Sequence, residues 1–134
     1  MKIEWFLEGK NTIAVVGVSA NPEKWGYKIY QTLKRTFRKV YAVNPKYAEI
    51  WGEKCYPDLK SLPERPDVVV TVVRPEITEE VIRTAKDIGI RRVWMQPGSE
   101  SREAIEFCER NGIECVHSVC FMMNGLKKRG DGNG

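Results

Sequence analysis

Thr12-Ile13-Ala14-Val15-Val16-Gly17-Val18-Ser19-Ala20-Asn21-Pro22 decides the fold. An apolar run stops at a glycine, and small residues follow before the next periodic segment. That segment predicts a helix over about Gly26–Thr36, with Tyr27, Tyr30, Leu33 and Phe37 at helical spacing. Val40-Tyr41-Ala42-Val43 then reads as a second strand. Strand, glycine turn, helix, strand is the start of a nucleotide-binding α/β unit.

The same alternation continues outward from this unit. Asp67–Val73 is a β-branched run of the kind found in parallel strands buried on both faces. Pro75 suits the first turn of the next helix, whose apolar stripe is Ile77, Val81, Ile82, Ala85 and Ile88. Gly89–Trp94 and Gly112–His117 each read as a helix-ending glycine, an apolar cap and a strand, with a helix over Ser101–Asn111 between them. Met1–Gly9 predicts a short helix with Ile3, Phe6 and Leu7 on one face. Glu49–Pro63, broken by Gly52, Pro57 and Pro63, is expected to be irregular. The expected fold is α/β: a three-layer, Rossmann-like, doubly wound sheet of about five parallel strands with helices on both faces. Residues 1–126 form one expected domain, and 127–134 a frayed basic and glycine-rich tail.

Composition narrows the function. The chain has 134 residues, 42% hydrophobic and 30% charged, as in an ordinary globular domain. Its 22 basic and 18 acidic residues leave a net charge of +4. The basic residues are too interspersed to make a nucleic-acid footprint. No run approaches the ~18 apolar residues of a membrane span, and the first residues do not read as a secretory signal, so a cytoplasmic protein is expected. Many Lys, Arg and Glu beside few Gln hint at a thermophile. Four cysteines without a C-x-x-C pair, and one histidine, argue against structural zinc. The cysteines are expected as free thiols, with a Cys108–Cys115 bridge as the alternative.

Ligands of such sheets lie beyond the carboxyl ends of the strands, where strand order reverses. Those ends are Gly17–Pro22, Asn44–Lys46, Arg74-Pro75, Gln96-Pro97-Gly98 and Ser118–Phe121. NAD folds carry an Asp or Glu after the second strand, to hold ribose hydroxyls. Here Asn44-Pro45 carries Lys46, which attracts a phosphate, so the expected ligand is a nucleotide with an extra ribose phosphate. Gly17 permits a sharp turn against a phosphate, although Ser19 and Pro22 leave the G-x-G-x-x-G fingerprint incomplete. Ser19 and the backbone amides before the helix can donate to phosphate oxygens. The alternative is a plain turn in which Ser19 or Asn21 caps the helix. Arg74 suits a phosphate or a stacked base, against a surface pairing with Glu76 or Glu79. Val73, Pro75, Ile77 and Val81 could wall an adenine ring, and Gln96-Pro97-Gly98 could let a ligand tail pass. Cys120 could face the crevice or be an inert buried thiol. His117 has no Ser or Asp partner in motif context, and no catalytic or metal constellation is legible.

Taken together, Val16–Pro22, Trp25-Gly26-Tyr27, Val43–Lys46, Val73-Arg74-Pro75, Trp94–Gly98 and Cys120 resemble the small CoA-binding proteins. These are stand-alone Rossmann-like domains similar to the CoA-binding domain of the succinyl-CoA synthetase α subunit. The likeness spans about residues 10–123. It implies CoA or acyl-CoA as ligand. Gly17, Val18, Ser19, Ala20 and Asn21, with Trp25, Gly26 and Tyr27, would hold the diphosphate, and Lys46 on Asn44-Pro45 the ribose phosphate. Val73, Arg74, Pro75 and Ile77 would border the adenine, Gln96, Pro97 and Gly98 the pantetheine, and Cys120 the thiol end. Family patterns place a charged residue just before the late cysteine, where this chain has Ser118-Val119. The ligase's catalytic histidine loop has no counterpart, so the expected role is a non-catalytic carrier, sensor or accessory module. The alternatives are an NADP-binding oxidoreductase-like protein and a redox module forming a mixed disulfide between CoA and Cys120. Trp5, Trp51 and Tyr56 suggest a homodimer face.

Overall fold

Every residue of β1 (Thr12–Val16) is buried, because this strand has a neighbour on each side and helices above and below. The computed structural model describes residues 3–118. Around β1 stand α1 (Ile3–Phe6), α2 (Trp25–Lys34), β2 (Lys39–Val43), β3 (Glu49–Ile50), β4 (Glu53–Tyr56), β5 (Val68–Thr71), α3 (Pro75–Asp87), β6 (Arg92–Met95), α4 (Arg102–Arg110) and β7 (Glu114–Val116). A 3-10 turn at Leu59–Ser61 precedes β5. The sheet order is β3-β4-β2-β1-β5-β6-β7. Every pairing is parallel except the β3–β4 hairpin. From β1 the chain winds outward through β2 to the hairpin, then returns to lay β5 beside β1. Strand order therefore reverses between β1 and β5, which defines a switch point.

Side-chain alternation builds the two outer layers. Ile13 and Val15 face Phe6 of α1 and Ile29, Tyr30 and Leu33 of α2. Ala14 and Val16 face Ile82 and Ala85 of α3 and Ala104 and Cys108 of α4. Trp94 and Met95 are fully buried, and Trp94 meets Phe6 edge-on at 5.7 Å.

The five expected parallel strands are β1, β2, β5, β6 and β7. The sheet has seven strands because Glu49–Pro63 is not irregular. Cys55 turns inward while Glu53 and Lys54 are exposed, so β4 extends the sheet as a strand beside β2. Its two charged residues hid the alternation. The third predicted strand stops at Thr71 rather than Val73, since the chain bends there into α3. The second helix ends at Lys34 because its last turn tightens, with Arg35 and Thr36 N–H groups donating to the Thr32 and Leu33 carbonyls. The first helix is confined to Ile3–Phe6. Cys108 and Cys115 are both buried free thiols, so the alternative bridge is not formed. They hydrogen-bond to each other, and that bond together with burial raises the Cys108 thiol well above its ordinary range. The tail at 127–134 lies outside the described residues.

One surface network predicts a pH response. The Tyr41 hydroxyl donates to Glu64 at 2.7 Å. Burial first, and this bond second, push Tyr41 from 10.0 up to about 12. The folded state thus keeps a proton that the unfolded chain releases near its ordinary value. Between about pH 10 and 12 the unfolded state binds fewer protons, so stability falls as pH rises. Tyr41→Phe should flatten that alkaline loss in urea midpoints measured from pH 8 upward. An unchanged slope would assign the loss to other groups.

Candidate nucleotide-binding site

Two glycines shape the switch point. Gly17 leaves β1 with φ +106°, and its N–H donates to the Val43 carbonyl at 2.9 Å. A Cβ on Gly17 would lie 2.3 Å from the Val72 carbonyl oxygen, so the turn rests directly on the end of β5. A Cβ on Gly26 would lie 2.2 Å from the Gly17 carbonyl oxygen. The first turn of α2 is therefore seated on the same loop.

The loop uses its own side chains internally. Ser19 Oγ accepts from the Asn21 N–H at 3.0 Å, and Asn21 Oδ1 accepts from the Glu23 N–H at 2.9 Å. Neither residue caps α2, contrary to the alternative reading. The N-cap is Lys24, with no side-chain capping bond, and the first-turn N–H groups of Trp25, Gly26 and Tyr27 meet no side-chain acceptor among the described residues. At α3 the N-cap is Arg74, again without a side-chain bond, and Pro75 occupies the first turn. By contrast α4, which starts after β6, is capped by Ser101 Oγ accepting from the Ala104 N–H at 3.0 Å. Of the two helices that begin at the switch point, α2 keeps its positive end open and has no acidic residue in its first turn, an arrangement suited to anions. The start of α3 is partly closed: Pro75 has no N–H, the Ile77 N–H donates to the Arg74 carbonyl at 3.0 Å, and Glu76 places a carboxylate in the first turn.

Asn44 ties the second strand end to the first. Its Nδ2 donates to the Val18 carbonyl at 2.8 Å, and its Oδ1 accepts from the Lys46 N–H at 2.9 Å. The Cys55 thiol donates to the Asn44 carbonyl at 3.6 Å, and burial pushes that thiol up, which keeps it a neutral donor. Pro45 and Lys46 are exposed, and Lys46 makes no ion pair among the described residues. Arg74 is also exposed and unpaired among them, and Glu79, one of its expected partners, accepts from Ser101 Oγ at 2.7 Å instead.

The remaining expected residues sit as follows. Val18 is buried and Ser19 and Ala20 half-buried, while Asn21 is exposed. Trp25 is exposed with the Lys28 ammonium 5.9 Å above its ring, and Tyr27 is half-buried. Val73, Pro75 and Ile77 are half-buried at the end of β5. Gln96 is fully buried and its N–H donates to the Thr71 carbonyl at 3.0 Å. Pro97 and Gly98 are exposed, and a Cβ on Gly98 would meet nothing within 4 Å. His117 is exposed and shares a hydrogen bond with Ser118 Oγ at 2.9 Å. Val119 and Cys120 lie outside the described residues. Among the described residues no group of His, Cys, Asp and Glu is arranged to hold a metal, and no helix is long and apolar enough to cross a membrane.

Trp51, expected only as part of a homodimer face, also reaches this region. Trp51 joins β3 to β4, and its indole N–H donates to the Ala20 carbonyl at 2.8 Å.

The sequence pattern of the CoA binding domain family matches residues 11–125. Among curated proteins, the chain is similar to an ADP-forming acetate–CoA ligase of Archaeoglobus fulgidus, with 32% identity over 121 residues. That match covers 83% of this chain and only 18% of the ligase. Among solved structures, a conserved hypothetical protein of Pyrococcus furiosus is 42% identical with a TM-score of 0.78, covering 84% of this chain and 97% of that one. A hypothetical protein of Pyrococcus horikoshii is 34% identical with a TM-score of 0.87, covering 93% and 88%.

Proposed function

Because the chain belongs to the CoA-binding domain family, we propose that it binds coenzyme A or an acyl-CoA through the ADP-3′-phosphate moiety. Its role is that of a non-catalytic carrier, sensor or accessory module. The observation that carries this reading is the uncapped start of α2 at the switch point, with two cations at strand ends beside it, Lys46 and Arg74, that are unpaired among the described residues. A diphosphate with a further ribose phosphate is the anion such a donor set suits. In this reading the first loop and the start of α2 take the diphosphate, and Lys46 takes the 3′-phosphate. Val73, Arg74, Pro75 and Ile77 border the adenine. Pro97 and Gly98 line the path of the pantetheine, in a turn that the buried Gln96 anchors through its N–H bond to the Thr71 carbonyl.

Calorimetry with two ligands tests the reading. Lys46→Ala should weaken CoA about tenfold, the worth of one charge-assisted contact, and leave dephospho-CoA nearly unchanged. Equal losses would remove Lys46 from the ribose phosphate. Tight NADPH binding that CoA does not displace would replace the CoA reading with a dinucleotide one.

A further inference from the structure

Trp51 is unusual on three independent counts. Its side chain is 66% exposed, the most of any large apolar residue described. Its φ is +51°, and Gly52 follows at +86°. A two-residue hairpin turn with both φ values positive is normally built from Asn, Asp or Gly, so a tryptophan in its first position is strained. Third, its indole N–H reaches out of the hairpin to the Ala20 carbonyl, 31 residues away in sequence.

The target of that bond is informative. Ala20 lies in the middle of the first loop, between Ser19 and Asn21. The bonds made by those two side chains are local. Among the described residues, two side chains from elsewhere in the fold hydrogen-bond to residues 18–22: Asn44 on the Val18 carbonyl and Trp51 on the Ala20 carbonyl. Together they add fixed points at both ends of a short stretch that is otherwise held by the packing of Val18 and Ala20 on the core and by its own local bonds. The Ala20 oxygen is drawn towards the hairpin edge of the sheet, two strands from the β1–β5 junction. A carbonyl oxygen repels phosphate, so committing it there favours an anion at the switch point.

We infer that the Trp51-Gly52 turn is a latch and that Trp51 is a positioning residue, holding the first loop in its ligand-ready shape. The inference rests on the CoA reading for its ligand, and it sets the loop's grip on the diphosphate. The strain and exposure at Trp51 are then the local cost of reaching a neighbouring loop with a rigid donor.

Two variants separate the latch from simple packing. Trp51→Phe keeps an aromatic ring and deletes the donor. Trp51→Gly deletes the latch and relieves the positive φ. Both proteins are titrated with CoA and with dephospho-CoA, and amide hydrogen exchange is followed over residues 18–24. Trp51→Phe should weaken both ligands equally, about fivefold, with faster exchange in the loop and an unchanged melting temperature. Trp51→Gly should lose at least as much affinity without melting lower. Wild-type affinity and wild-type exchange in Trp51→Phe would overturn the latch. Affinity losses that track a lowered melting temperature in both variants would also overturn it, as mere packing. If the wild-type chain binds neither ligand, the CoA reading fails by itself, and the exchange arm still decides whether Trp51 orders the loop.

Discussion

Gly26→Ala is expected to destabilise the domain by about 2–3 kcal/mol, although alanine is the better helix former. The propensity gain is worth about 1 kcal/mol in a helix interior and less in a first turn. Against it stands a Cβ placed 2.2 Å from the Gly17 carbonyl oxygen and 3.1 Å from its carbon. Neither side can yield easily. Gly17 is held by its N–H bond to Val43 and lies against the Val72 carbonyl. On the other side, α2 is held by Ile29, Tyr30 and Leu33 in the core. The clash therefore outweighs the propensity, and the start of α2 must lift from the loop. A thermal melt should show a drop of about 8 °C, on the usual scaling for a chain of this length. Ligand affinity should fall with it, because the N–H groups of the first turn move. A variant that melts like the wild type would mean that α2 slides on β1 at no cost.

Trp94→Ala should cost more, about 4 kcal/mol. Trp94 is fully buried in β6, and β5 and β7 flank it through Val70 and Val116. Its ring meets Phe6 at an interplanar angle of 80°, the edge-to-face geometry that aromatic pairs prefer. The cavity would also remove the surface on which Phe6 packs, so α1 should detach before the sheet unfolds. Domains of this size are stable by only about 5–15 kcal/mol, so the variant should lose much of its margin. Urea unfolding measures the loss, and proteolysis near residues 3–7 reports α1. Trp94→Phe should restore most of the stability. A loss under about 1 kcal/mol for alanine would show that the neighbouring side chains collapse into the space.

Legibility followed the range of the signal. The strands β1, β2, β5, β6 and β7 could be read because each is an apolar run within a few residues, and the helices between them repeat at 3.6 residues. The glycines at 17 and 26 could be singled out, and the sharp turn at Gly17 foreseen, but not the close approaches that both make. Both avoid contacts made by backbone from other elements, Val72 in one case and Gly17 itself in the other. The hairpin was not legible because β3 has two residues, and β4 carries charge at Glu53 and Lys54. The alternative, capping by Ser19 or Asn21, fails for a physical reason: local turn bonds compete for the same oxygens.

Sequence by itself determined the α/β class, the main parallel strands and the short segments that end them, because side-chain alternation and turn residues act over only a few positions. Tertiary structure alone decided that β5 returns beside β1, that Asn44 binds the Val18 carbonyl, and that Trp51 reaches Ala20. Those contacts join residues 26 to 55 positions apart. Their partners are selected by chain closure and packing, and no local period encodes them.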